Sequence, residues 1–349
     1  RIHMNNKLTK ELIMNKLNKL GVSALCGSLA AISAANAGDL AVTGGADVTW
    51  TSLSGQVTGN PIGIGSNFGF SGSGELDNGW SVGLSIAHDN KGGYSNTNVT
   101  VGIPGTGDIK LSQGVSGTGI DRMDDMTPTV WEEADGAGLS AGITNVTGTS
   151  AGSTIEFSPS ADLMPFGLTA RVAYSPDADG SGASDKGGSG VSGIKGSGYD
   201  VTLTADGSNF GMDGLTIYGG ISNVDQDQSA TTVSGDSEER VLGIKYAMGG
   251  FTVGYQDNED KQGTTTNNTY DNTYYSVTFN VNDDLSIGYG HAESDKEGSN
   301  TAEADSFQIA YTYGGATFRI AEIDVENQAY STATTADLDA TVVSMGLAF

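Results

Sequence analysis

From Asp39 onward the chain is a run of short segments in which an apolar residue returns at every second position. That period restricts the fold more than any other feature, because residues two apart share one face of a β-strand, whereas a helix repeats near 3.6. Leu40, Val42, Ala46, Val48 and Trp50 share the first face. Phe68, Phe70 and Leu76 form the next, and Trp80, Val82, Leu84 and Ile86 return after Asp77-Asn78-Gly79, a tight-turn sequence. The pattern continues through Val99–Ile103, Ile109–Leu111, Ile155–Phe157, Leu168–Tyr174, Tyr199–Leu203 and Leu215–Ile221. It resumes at Leu242–Met248, Phe251–Tyr255, Tyr275–Val281, Leu285–Tyr289, Phe307–Tyr313 and Phe318–Ile320. Thr341, Val343, Met345, Leu347 and Phe349 close the series with mostly small residues between them. Taken alone, this last segment also fits helical spacing through Leu338, Val342, Met345 and Phe349.

The segments number sixteen, all β. Short turns are expected near 77–79, 104–107, 159–166, 207–212, 249–250, 282–283 and 314–315, alternating with longer polar loops, so both termini fall on the short-turn side. An even strand count with turns short on one side is what an antiparallel transmembrane barrel requires. In lipid every backbone polar group must be paired, and among sheets only a closed one has no open edge. A soluble sandwich or solenoid would not explain the one-sided turns, and no solenoid repeat is present. The apolar faces carry Trp50, Trp80, Tyr246, Tyr255, Tyr289, Tyr311 and Phe349, suited to the membrane interfaces. Inward positions read as Gly, Ser, Thr, Asp, Gln and a few charges, which cannot fill so wide a ring, so water is expected inside.

Residues 1–37 read as a secretory signal with upstream residues: Lys7, Lys10, Lys16 and Lys19, an apolar run from Leu20 to Ile32, then Ala35-Asn36-Ala37 before the expected cleavage. The run is too short for a membrane helix, which takes about 20 apolar residues. Residues 38–349 then form the barrel. Cys26, the only cysteine, leaves with the signal, so no disulfide is expected. The leader holds five of 16 basic and one of 42 acidic residues, leaving 11 against 41, a net charge of −30. That excludes nucleic acid as a partner and favours cations.

The ladder, the terminal Phe349 and Ile155-Glu156-Phe157-Ser158-Pro159 followed by Phe166-Gly167-Leu168-Thr169-Ala170-Arg171-Val172-Ala173-Tyr174-Ser175 resemble the general diffusion porins of Gram-negative outer membranes. The resemblance implies an outer-membrane location, a homotrimer among lipid and lipopolysaccharide, and a third loop folded into the lumen as a constriction. It also implies that Phe349 is a signal read by the barrel-assembly machinery. The loop would span 112–153 and include the alternation Leu139, Ala141, Ile143, which as a strand would make the count odd.

In that loop Asp121, Asp124, Asp125, Glu132, Glu133 and Asp135 are candidates to line the constriction and concentrate cations, with a solvated charge run as the plainer reading. Arg122 lies among them. Lys110, Arg171, Lys245 and Arg319 have inward parity but are scattered around the ring, and the basic cluster that such porins carry on early strands is missing. Arg171 is the strongest basic candidate, with pairing to Glu156 as the ordinary alternative. Asp177, Asp179 and Asp185 echo the start of a calcium loop, yet Gly188 stands where the bidentate Glu belongs, so no cofactor is expected beyond weakly bound Ca2+. Catalysis finds little support, since His88 and His291 both sit on outward parity near strand ends. Expected function is passive diffusion of small hydrophilic solutes and ions with a cation preference. A substrate-selective channel for phosphate or an organic solute, or a non-conducting surface or adhesion barrel, remain alternatives.

Overall fold

The computed structural model describes residues 30–32, 40–54, 59–90, 93–113, 117–150, 152–179, 193–266, 269–333 and 335–348. The leader apart from 30–32, Asp185 and the terminal Phe349 therefore lie outside the described residues. Sixteen antiparallel strands form one closed ring: β1 (Leu40–Ser54), β2 (Ile62–Glu75), β3 (Ser81–Asp89), β4 (Gly93–Ile103), β5 (Gly107–Gln113), β6 (Ser153–Pro159), β7 (Leu168–Ser175), β8 (Lys195–Asp206), β9 (Leu215–Gln226), β10 (Ser237–Met248), β11 (Phe251–Lys261), β12 (Thr269–Asn280), β13 (Leu285–Lys296), β14 (Thr301–Tyr313), β15 (Ala316–Glu326) and β16 (Leu338–Ala348). Each strand pairs with its sequence neighbours, and β16 pairs with β1 from Asp339↔Ser54 to Ala348↔Gly45, which shuts the ring. The closing segment is thus a strand, and the helical alternative falls. Ala30–Ile32 adds a short bridge to Leu40–Val42, outside the ring.

Outward parity matches the apolar faces read from sequence. Trp50, Trp80, Tyr246, Tyr255, Tyr289 and Tyr311 are all exposed on the outer wall. Lipid is the solvent for that wall, so apolar exposure there stabilises rather than threatens the fold. The alternation of loop lengths is less regular than expected. On the long-loop side only residues 90–92 separate β3 from β4, and only 297–300 separate β13 from β14.

The inner wall departs from the expected all-polar surface. On β13–β16 the inward residues include Ala292, Ala302, Ala304, Ala321, Ile323, Val325, Leu338, Ala340 and Val342, all buried. They are dry because the long loop 114–152 lays Ala134, Ala137 and Ala141 onto them, flanked by Trp131, Leu139 and Ile143. The alternation at 139–143 therefore belongs to a loop packed on the wall and makes no strand. Along β13–β16 the inner wall and the loop pack like a small core, and that packing positions the loop.

Candidate functional site

The loop is held by inward side chains of successive strands. Buried Asp200 on β8 takes both ends of the loop: its Oδ2 accepts from Ile120 N at 3.2 Å, Thr149 N at 3.2 Å and Thr149 Oγ1 at 2.8 Å. Glu156 on β6 accepts from Gly119 N at 2.7 Å. Glu239 on β10 accepts from Thr147 N at 2.9 Å and Gly148 N at 2.7 Å. Together the three carboxyls take the backbone N–H groups of Gly119, Ile120, Thr147, Gly148 and Thr149, so they clamp the loop to the wall.

Farther along, Gln256 on β11 accepts from Met126 N at 2.9 Å and donates to Met123 O at 2.9 Å and Asp124 O at 2.7 Å. Gln308 on β14 accepts from Trp131 N at 2.9 Å and donates to Glu132 O at 2.8 Å. Pro128 rests on Gly254 of β11, where a Cβ would stand 2.4 Å from Pro128 Cδ. A second loop, 327–337, grips from the other side: Ala329 N donates to Ala141 O at 2.7 Å and Thr144 N to Tyr330 Oη at 3.1 Å. The described anchors run from β6 round to β16, which leaves the inner faces of β2–β5 opposite the loop.

Of the six candidate carboxylates, four shape the loop itself. Asp121 accepts from Gly117 N at 3.0 Å, and Asp124 from Asp125 N at 2.8 Å. Asp125 accepts from Thr127 N at 2.8 Å and Thr127 Oγ1 at 2.7 Å. Asp135 takes Ala141 N and, at 3.3 Å, Ile143 N. Glu132 is half-buried, and Glu133 is exposed. Burial pushes the carboxyls of Asp124 and Glu132 up to about 7 and that of Asp125 up to about 6, and the charge of neighbouring Glu133 pushes each the same way. Burial also raises Asp121 and Asp135. Glu133 thus sits at the centre of a patch that brings Asp124, Asp125, Glu132 and Asp135 into mutual repulsion.

Two of the four inward basic candidates come together, while Lys245 and Arg319 stay apart on β10 and β15. Lys110 lies directly opposite Glu156 across β5 and β6. Glu156 forms an ion pair with Arg122 of the loop, and Arg171 Nε on β7 stands 3.9 Å from Glu156 Oε1. Three adjacent strands and the loop start therefore gather Lys110, Arg122 and Arg171 around one buried carboxylate. Among the described residues β1–β3 carry no Lys or Arg: inward Thr49, Asn67 and Ser85 are uncharged, and inward Asp47 is acidic.

Lys245 on β10 lies over the Tyr218 ring, 5.8 Å from its centroid, and its charge lowers Asp125 against the burial effect. Arg319 on β15 is 2% exposed, and its guanidinium reaches over β16 to Asp47 of β1 at 2.6 Å. It also stacks 5.6 Å from the Trp131 ring centroid. The pair passes over Gly346, where a Cβ would stand 2.6 Å from Asp47 Oδ1 and 2.9 Å from Arg319 Nη1.

Sequence parity placed Asp200, Glu239, Gln256 and Gln308 inward but could not mark them as anchors. Their shared signal is a carboxylate or amide in the middle or upper half of an inward row. Asp177 accepts from Asp179 N at 3.1 Å, an ordinary turn bond, and the third member of that run, Asp185, lies outside the described residues. His88 stacks on Phe68 at 4.8 Å and His291 on Tyr275 at 4.5 Å, both on the outer wall.

A family model described as Gram-negative porin matches residues 21–315. Among solved structures, an anion-selective porin from Comamonas acidovorans is similar with a TM-score of 0.65 and 14% identity, over 89% of this chain and 99% of that one. OmpF of Salmonella typhi, in complex with daunomycin, is similar with a TM-score of 0.66 and 12% identity, over 91% of this chain and 100% of that one. A mutant of the Rh. blastica porin has a TM-score of 0.57 at 13% identity, over 89% of this chain and 100% of that one. A search of curated protein sequences finds no match. At such identities the structural likenesses speak to fold alone.

Proposed function

The chain belongs to the Gram-negative porin family, channels of the outer membrane, and from that premise we propose that it passes small hydrophilic solutes and ions passively with a preference for cations. The observation that carries the preference is the acidic patch centred on exposed Glu133. Carboxylates at a narrowing raise the local cation concentration and repel anions. Arg122, Arg171 and Arg319, by contrast, each face a carboxylate partner, which blunts their pull on anions. The reading extends to a homotrimer assembled through the barrel-assembly machinery, in contact with lipid and lipopolysaccharide.

Reversal potentials in a potassium chloride gradient across a planar bilayer test the proposal. Wild-type channels are expected to favour potassium, and Glu133→Gln to lower that preference without closing the channel. Anion preference in the wild type overturns the reading. A second reading, a channel with a subsite for anionic solutes, rests on the convergence of Lys110, Arg122 and Arg171. Conductance that saturates with phosphate would support it over simple diffusion.

A further inference from the structure

Outside the pore, on the outer wall, His291 of β13 is only 8% exposed and is fixed from two sides. Its ring stacks on Tyr275 of β12, with centroids 4.5 Å apart and planes 23° apart. Its Nδ1 lies 2.8 Å from Asp305 Oδ1 on β14, and the Tyr289 hydroxyl donates to the same carboxylate oxygen. An ionised carboxylate only accepts, so Nδ1 carries the proton and a neutral ring keeps its lone pair on Nε2. That nitrogen points at Glu293, whose Oε2 stands 3.7 Å away, beyond hydrogen-bonding reach.

Glu293 lies directly opposite Glu303 in the β13–β14 ladder. One donor atom each from His291, Glu293 and Glu303 fall within 4.8 Å of one another. The surrounding register makes the spot more negative still: Glu303 faces Glu326, Asp305 faces Asp324, and Asp324 faces Asp339. Like charges directly across a ladder are destabilising, so four such pairs in one patch call for a cation.

We infer that this cluster is a divalent transition-metal site of the zinc type, with His291 Nε2 and the carboxylates of Glu293 and Glu303 as ligands and Asp305 as the residue that orients the imidazole. Imidazole with carboxylates and no thiolate suits such an ion, and the carboxylate–histidine pairing is the usual support for a metal-bound ring. Metal bonds of about 2.0–2.2 Å require donors somewhat closer than they stand here, a gap that small rotations of the two partly exposed glutamates close. The row lies just beyond Tyr289, where the outer wall changes from apolar to charged, so an ion reaches it without crossing the apolar band. The cluster lies on the outer wall, apart from the lumen that solutes cross.

The test is isothermal titration of the folded full-length barrel in detergent with zinc chloride, in excess calcium chloride to occupy non-specific carboxylates. One tight zinc ion per chain is expected. His291→Asn should abolish it, Asp305→Asn should weaken it about 10–100-fold, and His88→Asn should leave it unchanged. X-ray absorption on the zinc-loaded wild type should show one imidazole nitrogen among oxygen ligands, and this settles the matter even if His291→Asn fails to fold. Tight binding that survives in folded His291→Asn, a shell without nitrogen, or no stoichiometric binding above calcium would overturn the site.

Discussion

Asp124, Asp125 and Glu132 carry the proton chemistry most exposed to solution conditions. Burial holds their carboxyls at about 7, 6 and 7, above the ordinary range near 4. The folded loop therefore binds protons more tightly than the unfolded chain does. Their contribution to stability is full below the unfolded value and is lost as pH rises through 6 and 7. Selectivity runs the other way, because the same rise restores charge beside the pore. Lowering the pH from about 8 to about 5 should shrink the potassium preference measured by reversal potential while fixing the loop more firmly. A preference independent of pH over that interval would show that these groups do not face the permeating ions.

A long loop that lies on a wall needs that wall to be shaped for it, and Gly254 shows how. Pro128 occupies the space that a side chain there would take. Overpacking at such a contact costs about 1–3 kcal/mol and is relieved by moving the loop toward open water. Gly254→Val is expected to lower single-channel conductance and to increase current fluctuation; unchanged or larger conductance would count against the docked loop as the constriction. The strands themselves were legible from sequence, since lipid outside and water inside force a period of two. The anchors were less so. Parity tells that Asp200 and Glu239 point inward, but not that backbone N–H groups some 51 and 92 residues away meet them. Alanines on β13–β16 carry no signal of their own, because their burial is decided by a loop that lies elsewhere in the chain. Of the basic cluster, the approach of Arg171 to Glu156 was legible from neighbouring inward rows, but the arrival of Arg122 was hidden, because it depends on how the loop folds back.

At the scale of the ring, closure joins the two ends of the folded chain. β16 is the strand that removes the last open edge, and Phe349 follows it directly. Deletion of Phe349 is expected to cut the amount of assembled barrel in membranes far more than it alters the conductance of channels that do form; a truncation that assembles normally would remove its role as a signal. Packing of the loop on β13–β16 also means that this part of the inner wall and the loop depend on each other, because Ala302, Ala304 and Ala321 face water until Ala134 and Ala141 cover them. The Arg319–Asp47 pair bridges 272 positions of sequence. A contact so distant in sequence exists only once the two ends of the sheet have been brought together. The seam is therefore what gives the molecule an inside: without the pairing of β16 with β1 the sheet would be a ribbon with two unpaired edges, and a lumen exists only because those edges meet.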